Sequence, residues 1–235
     1  MIRVYPSVPD GVYPDNDFPE YRSSEKRAPF EAAITIPHTA SEITGPRFGR
    51  EKLREDAQDL TRQVPDGTPQ GQRIIVFGRV TDDRDRPERG ALIELWQANA
   101  AGRYRHDGDT HDAPLDPYFI GAGQVVTDDE GYYEFTTIEP GAYPWPNHDN
   151  AWRPKHIHFS LFGPAWATRL VTQMYFPGDP TLPLDPIFMG TADESARKRM
   201  IAVFDIDRSV PNYAMAYRFD IGIRGADDMP WEDET

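Results

Sequence analysis

Cysteine is absent from this chain of 235 residues, which excludes disulfides, thiolate metal ligands and cysteine nucleophiles together. A metal bound by this chain must therefore use histidine, carboxylate or phenol groups. The chain also lacks an apolar run approaching the roughly 18 residues of a membrane-spanning helix. No apolar run of signal-peptide length stands at its N-terminus. We therefore expect a soluble, cytoplasmic protein.

Positive charge is scarce as well. The chain has 25 lysines and arginines against 39 acidic residues, a formal net charge of −14. This charge disfavours nucleic acid and anionic membranes as partners. It does not disfavour a small anionic substrate, because the local charges at a pocket matter more than the total.

The sequence changes in character near residue 70. Residues 1–70 are rich in proline and charge without sustained periodicity, and we expect an extended arm that packs on the core or on a partner chain. Residues 71–235 contain alternating apolar segments separated by turns, the pattern of an antiparallel β-sandwich with long loops and short helices. Strands are predicted over Arg73–Val80, Ala91–Gln97, Gln124–Thr127, Tyr132–Thr136, Lys155–Phe162, Leu170–Phe176 and Ala214–Ile223.

Two local patterns add detail to this sandwich. The turn residues Asp128–Gly131 between the third and fourth predicted strands favour a hairpin. The spacing of Thr191 and Glu194 is that of a capping box, which predicts a helix running to about Met200.

His156 and His158 are separated by one residue on a predicted strand, so both imidazoles project from one face and can reach one metal ion. Arg153 and Lys155 flank the pair and would repel a divalent cation unless anionic ligands offset their charge. The candidate anions are the carboxylate of Asp149 and the deprotonated phenols of Tyr104 and Tyr143.

Phenolate is a hard oxygen donor that suits Fe(III) better than zinc or Fe(II). A phenol ionises near pH 10, so only a strong Lewis acid holds it ionised at neutral pH. Each tyrosine also has an ordinary structural explanation, since Tyr143 follows a strand end where sandwiches bury aromatics and Tyr104 lies in a polar loop. A ferric site, a histidine-based Fe(II) or zinc site, and a pair of histidines without metal all remain open from these residues.

Several motifs together resemble the intradiol ring-cleaving dioxygenases. They are Glu94–Asn99, Gly102–Tyr104, Gly131–Tyr133, Pro140–Trp145 and Trp152–His158. The resemblance covers nearly the whole chain, including Pro19–Tyr21 in the arm and Tyr217–Asp220 near the end. Within the family it is greatest to the members that act on protocatechuate. Each motif alone is weak, whereas their combination is specific.

This resemblance implies a non-haem Fe(III) held by Tyr104, Tyr143, His156 and His158, with a solvent hydroxide as fifth ligand. A catechol would bind the iron through both oxygens and displace the hydroxide and Tyr143. The implied reaction converts protocatechuate (3,4-dihydroxybenzoate) and O2 to 3-carboxy-cis,cis-muconate, with cleavage between the two hydroxyl-bearing carbons.

The same resemblance implies roles for five further residues. Arg153 would stabilise negative charge that develops on the substrate, although an arginine there is as commonly a salt-bridge partner of a nearby aspartate. Gln173 would lie near dioxygen and substrate, Trp145 and Ile187 would form pocket walls, and Tyr21 would reach the substrate carboxylate. A homologous α chain without iron ligands would complete the pocket in αβ protomers of a higher oligomer.

Two alternatives to this function remain open. A non-catalytic, prealbumin-like β-sandwich binding module shares the pattern of glycines, prolines and Tyr143. An intradiol enzyme could also prefer catechol or hydroxyquinol to protocatechuate.

Overall fold

The computed structural model of this chain describes residues 10–31, 53–54, 56–82, 84–162 and 170–223. Most of the regular secondary structure in these residues is β-strand. The α-helices among them are short: α1 (Ser24–Arg27), α2 (Pro186–Met189) and α3 (Glu194–Arg199). The predicted mainly β fold with short helices is confirmed. Within the same ranges, no helix combines the length and apolar character needed to cross a membrane.

The first sheet is organised around its central strand. It contains β1 (Arg73–Thr81), β4 (Tyr132–Ile138), β9 (Val203–Val210), β10 (Ala214–Arg218) and β11 (Ile221–Gly222). β1 pairs antiparallel with β4 but parallel with β10 and β11, and β9 pairs antiparallel with β10. The parallel pairs are a feature that the sequence pattern did not indicate.

The second sheet is antiparallel throughout and carries the two histidines. It contains β2 (Leu92–Trp96), β3 (Ala122–Val126), β7 (His156–Phe162) and β8 (Leu170–Tyr175), in the spatial order β3-β2-β7-β8. Ile157, Phe159 and Leu161 of β7 are fully buried in a core cluster shared with β1. Because side chains alternate along a strand, His156 and His158 lie on the opposite, outer face. Beside this sheet, β5 (Tyr143–Pro144) and β6 (Trp152–Arg153) form a two-stranded ribbon.

The predicted hairpin around residues 128–131 is wrong, although the turn itself forms. The Asp128 carboxylate accepts hydrogen bonds from the backbone N–H groups of Glu130 and Tyr132, and Gly131 has a φ of +81°. The strands on either side do not pair with each other, since β3 pairs with β2 and β4 pairs with β1. The turn therefore carries the chain from one sheet to the other.

The predicted helix near residue 194 is confirmed with a different cap. α3 begins after Asp193, whose side chain accepts from the Ala196 N–H at 2.7 Å. Thr191, the cap expected from the capping-box spacing, lies before the helix and is 2% exposed. An aspartate is at least as good an N-cap as a threonine, so the helix starts at the later residue.

The described part of the arm lies against the sandwich close to the β5–β6 ribbon. The Asn147 side chain donates to the Glu20 carbonyl at 2.8 Å and accepts from the Arg22 N–H at 3.1 Å. Further along, Leu60 belongs to the core cluster and is fully buried. The division into an arm of residues 1–70 and a catalytic domain of residues 71–235 stays a prediction, to which the structure adds that Leu60 packs into the sandwich.

Candidate metal centre

The two histidines of β7 are positioned by strand pairing. His156 is 2% exposed, and its ring centroid lies 4.8 Å from that of His158. His158 stacks on Trp96, its cross-strand partner on β2, with centroids 4.7 Å apart and an interplanar angle of 7°. The sheet thus sets the plane of the His158 ring.

The protonation state of His156 follows from its neighbours. Its Nδ1 lies 2.6 Å from the Pro154 carbonyl oxygen, which only accepts, so Nδ1 carries the proton and Nε2 keeps its lone pair. Burial, together with the charges of Arg153 and His158, holds the pKa of His156 well below its usual range. His156 is therefore neutral at pH 7 with Nε2 aimed into the site, the form that binds a metal.

Tyr104 lies in a loop and Tyr143 begins β5, and the two segments come into contact at glycines that precede these tyrosines. Gly102 has a φ of +78°, which favours glycine, and a side chain there would come within 2.3 Å of the backbone of the other loop. A side chain at Gly141 would meet the first loop at 2.5 Å in return. Because the backbones approach so closely, the two phenol rings meet edge to face, with centroids 5.5 Å apart.

Both phenol oxygens converge on one atom. The hydroxyl oxygens of Tyr104 and Tyr143 each lie 3.4 Å from Nε2 of His156. That is long for an O–H···N hydrogen bond, but two donors each about 2.1 Å from one ion lie roughly 3.0–3.4 Å apart. The spacing therefore fits donor atoms that share an ion.

The chemistry of this donor set favours a hard ion. Among the residues that the structure describes, no three histidine, aspartate or glutamate side chains form a group able to hold a metal. Asp149 is one of those residues, so it does not complete a site with the two histidines. The phenol oxygens of Tyr104 and Tyr143 lie beside His156, and a donor set of imidazoles and phenolates fits Fe(III) better than zinc or Fe(II).

Arg153 lies beside this cluster in a buried ion pair. It is 4% exposed and stands opposite Tyr143 in the β5–β6 ribbon. Its Nη2 donates to Oε1 of Gln173 at 2.5 Å, and its Nε lies 3.1 Å from Oδ1 of Asp185. The salt bridge weighed as an alternative role for Arg153 is therefore present. Asp185 was not identified from the sequence, because no motif links it to Arg153 so far along the chain.

The other predicted site residues lie in or beside one cleft. Tyr21, Gln173 and Ile187 line one cleft. Trp145 is not among its lining residues but lies beside it, with its ring centroid 5.3 Å from that of Tyr21 and 5.5 Å from Cζ of Arg153. The structure thus brings all four residues to one region next to the candidate metal ligands.

The four candidate ligands do not line that cleft. Two of its lining residues connect it to them: Gln173 is the cross-strand partner of His158, and the ring centroid of Tyr175 lies 6.0 Å from that of His156. Arg27 lines the cleft as well, with Cζ 4.7 Å from the Tyr21 ring centroid. Sequence reasoning missed Arg27, which belongs to the arm segment that carries Tyr21.

Comparison with known proteins shows that the chain is similar to dioxygenases. The family model described as Dioxygenase matches residues 43–225, and the one described as Protocatechuate 3,4-dioxygenase beta subunit N terminal matches residues 5–39. The protocatechuate 3,4-dioxygenase beta chain of Burkholderia cepacia is 54% identical over 231 residues, covering 98% of this chain and 96% of the relative.

More distant relatives match shorter lengths of the chain. Catechol 1,2-dioxygenase of Candida albicans is 34% identical over 152 residues, which are 59% of this chain and 47% of that protein. Among solved structures, the dioxygenase domain of a dioxygenase carbohydrate-binding protein fusion from Streptomyces sp. SirexAA-E has a TM-score of 0.53 at 26% identity. That match covers 77% of this chain and 95% of the solved one.

Proposed function

The chain belongs to the intradiol ring-cleavage dioxygenases, and on that basis we propose that it cleaves protocatechuate with O2 to 3-carboxy-cis,cis-muconate. The observation that carries the proposal is the 54% identity to a protocatechuate 3,4-dioxygenase beta chain over 98% of this chain. The identity extends through the arm as well as the sandwich, so a binding module without catalysis is not favoured. Catechol 1,2-dioxygenase matches a shorter part of the chain at lower identity, which favours protocatechuate over catechol.

Non-haem Fe(III) is the cofactor that the donor set suits. Tyr104, Tyr143, His156 and His158 would hold it, and it would supply the Lewis acidity that keeps phenols ionised and makes a bound catechol reactive toward O2. The convergence of both phenol oxygens on His156 Nε2 supports this assignment. Nδ1 of His156, bonded to the Pro154 carbonyl, would keep the imidazole oriented.

The residues around the ion would handle protons and charge. The Tyr143 phenolate oxygen is a base that can accept a proton from an incoming catechol hydroxyl. The buried guanidinium of Arg153 would stabilise negative charge that develops on the substrate. Since Oε1 of Gln173 accepts from Arg153, the group that Gln173 can offer to a ligand is its amide N–H.

The cleft beside the cluster would recognise the rest of the substrate. The Tyr21 hydroxyl can donate to the carboxylate of protocatechuate, and Arg27 next to it supplies a cation. Trp145 and Ile187 would form apolar walls that exclude water from the ring. These local cations would attract an anionic substrate despite the net charge of −14.

A homologous α chain is the proposed partner. The relative over nearly the full length is named a beta chain, which supports αβ protomers in which the second chain completes the pocket. Co-expression with that chain is therefore the appropriate source of material for assays.

Turnover of three catechols tests the proposal. Purified protein loaded with iron is supplied with protocatechuate, catechol or hydroxyquinol, and oxygen uptake and product mass are followed. We expect protocatechuate to have the highest kcat/KM and its product to gain both atoms of labelled O2. A preference for either other catechol, or no oxygen uptake by an iron-loaded protein, would contradict the proposal.

A further inference from the structure

Arg153 forms a buried ion pair with Asp185, and we propose that Asp185 orients Arg153 and is a positioning residue for ring cleavage. It would fix the guanidinium plane of Arg153 beside the candidate metal ligands. It would also hold Ile187, which forms a pocket wall, in a constant position relative to Arg153. The inference rests on the proposed function, in which Arg153 stabilises charge on the substrate. Asp185 itself would touch neither substrate nor metal.

The guanidinium of Arg153 makes a hydrogen bond to Gln173 and a buried ion pair with Asp185. Nε lies 3.1 Å from Oδ1 of Asp185, and Nη2 donates to Oε1 of Gln173 at 2.5 Å. The side chain of Asp185 is 0% exposed and that of Arg153 is 5% exposed, so water does not compete for the pair. The hydrogen bond to Gln173 and the buried charge of Asp185 together limit the movement of this planar group and favour one orientation of its N–H groups.

The same carboxylate also holds the pocket wall. Asp185 is the N-cap of α2 and accepts from the Ile187 N–H at 3.2 Å. The Tyr175 hydroxyl lies 3.3 Å from Oδ2 of Asp185 and 3.0 Å from Oε1 of Gln173. One buried side chain therefore connects Arg153 on β6, the helix that carries Ile187, and the β8 strand that carries Gln173.

Charge makes this connection specific to a carboxylate. A buried arginine needs a partner of opposite charge, because removing one member of a buried pair leaves an uncompensated ion. The substitution Asp185→Asn keeps an oxygen of similar reach for Nε but removes the charge. It should let the guanidinium move toward other acceptors without removing the cap on α2, since asparagine is as good an N-cap as aspartate.

A double-mutant cycle separates positioning from a merely structural role. The variants are Asp185→Asn, Arg153→Gln and the double substitution, with Asp193→Asn as the matched control at the aspartate cap of α3. For each, iron content, melting temperature, the anaerobic dissociation constant of protocatechuate and kcat are measured. We expect Asp185→Asn to lower kcat about 10- to 100-fold, as displacements of catalytic groups of about 1 Å do. Its iron content should stay at the wild-type level, and the anaerobic dissociation constant should change much less than kcat.

The effect of Asp185→Asn on kcat in the Arg153→Gln variant shows whether Asp185 acts through Arg153. If Asp185 acts through Arg153, adding Asp185→Asn to Arg153→Gln leaves kcat unchanged. A loss in kcat as large as in the wild-type background would overturn the inference, as would equal losses in iron content and kcat. If Asp185→Asn alone does not fold, the double variant, in which neither residue is charged, is compared with Arg153→Gln, and a lower kcat of the double variant overturns the inference. Wild type and Asp193→Asn show independently whether the proposed function holds, because both should turn over protocatechuate whatever Asp185 does.

Discussion

At the scale of single residues, the candidate metal centre depends on His156. Its Nε2 is the atom at which both phenols converge, and its Nδ1–H donates to the Pro154 carbonyl. Burial is the main reason that its pKa lies well below the usual range. The strand period is enough to predict that His156 and His158 share a face. The strand period does not predict the positions of the phenols, because Tyr104 and Tyr143 belong to segments that are distant in sequence and meet only in the folded chain.

The substitution Tyr143→Phe tests whether that phenol oxygen is a ligand. The remaining donors Tyr104, His156 and His158 should retain iron, while the visible band shifts and catechol binding slows, because a displaceable base has been removed. Stopped-flow absorbance with protocatechuate under nitrogen measures both effects. Tyr118→Phe, which changes a partly exposed phenol, is the control and should behave as wild type. A Tyr143→Phe spectrum identical to that of wild type would exclude Tyr143 as a ligand.

At the scale of elements, the break between β10 and β11 occurs at Phe219, whose backbone is hydrogen-bonded to two other strands. The Phe219 carbonyl accepts the hydroxyl proton of Tyr133 from β4, and its N–H donates to Phe77 of β1 at 2.8 Å. A side chain at Gly78 would come within 1.9 Å of the Phe219 oxygen. The close approach and the buried acceptor therefore end one strand and begin the next.

Tyr133→Phe should destabilise the fold by about 1–3 kcal/mol, the cost of leaving a buried acceptor without its donor. Chemical denaturation at pH 7 measures the change in the free energy of unfolding. The adjacent Tyr132→Phe is the matched control, because Tyr132 is 51% exposed, and it should cost little. Equal effects of the two substitutions would contradict the role of the Tyr133 hydroxyl.

The same hydroxyl predicts a dependence on alkaline pH. Burial, with a contribution from Asp220, raises the pKa of Tyr133 well above its ordinary value of 10.0. Above that ordinary value the unfolded chain loses the phenol proton and the folded chain keeps it, so the free energy of unfolding falls as pH rises. Unfolding curves between pH 9 and 11 should show a steeper fall for wild type than for Tyr133→Phe. Parallel curves would contradict this assignment.

Two features of the first sheet were not predicted, each for its own physical reason. Apolar residues continue from Ala214 to Ile223 on both sides of Arg218 and Asp220, so the sequence contains no sign of the break at Phe219 and Asp220. β9 was not predicted, because it pairs only with β10 in the described sheet and exposes most of its side chains, which removes the alternation of buried and exposed residues. Strands with one buried face, such as β1, were predicted to within one or two residues.

At the scale of the whole molecule, the arm forms part of the cleft wall and is hydrogen-bonded to the sandwich. Asn147 is 4% exposed and bonds the backbone on both sides of Tyr21, at Glu20 and Arg22. The arm therefore reaches the cleft through a specific anchor. Composition predicted an arm that lies on another surface, but its docking point depends on a loop side chain that no local pattern singles out.

Asn147→Ala should loosen this anchor and raise the KM for protocatechuate roughly tenfold, the effect of losing about 1.4 kcal/mol of hydrogen bonding at the carboxylate end of the substrate. Steady-state kinetics with protocatechuate and with catechol measures the effect. Catechol is the control substrate, because it has no carboxylate for Tyr21 or Arg27 to bind. A rise in KM of the same size for both substrates would contradict a role of the arm in carboxylate recognition.

The visible spectrum of the purified protein, recorded together with its metal content, is the most direct test of a ferric site with tyrosinate ligands. We predict that the bound metal is iron and that charge transfer from Tyr104 and Tyr143 colours the protein burgundy-red. The band should change when protocatechuate is added without oxygen, because a catechol bound to the iron would replace Tyr143 as a ligand. A colourless protein with a full complement of iron, or one whose bound metal is zinc, would contradict the account.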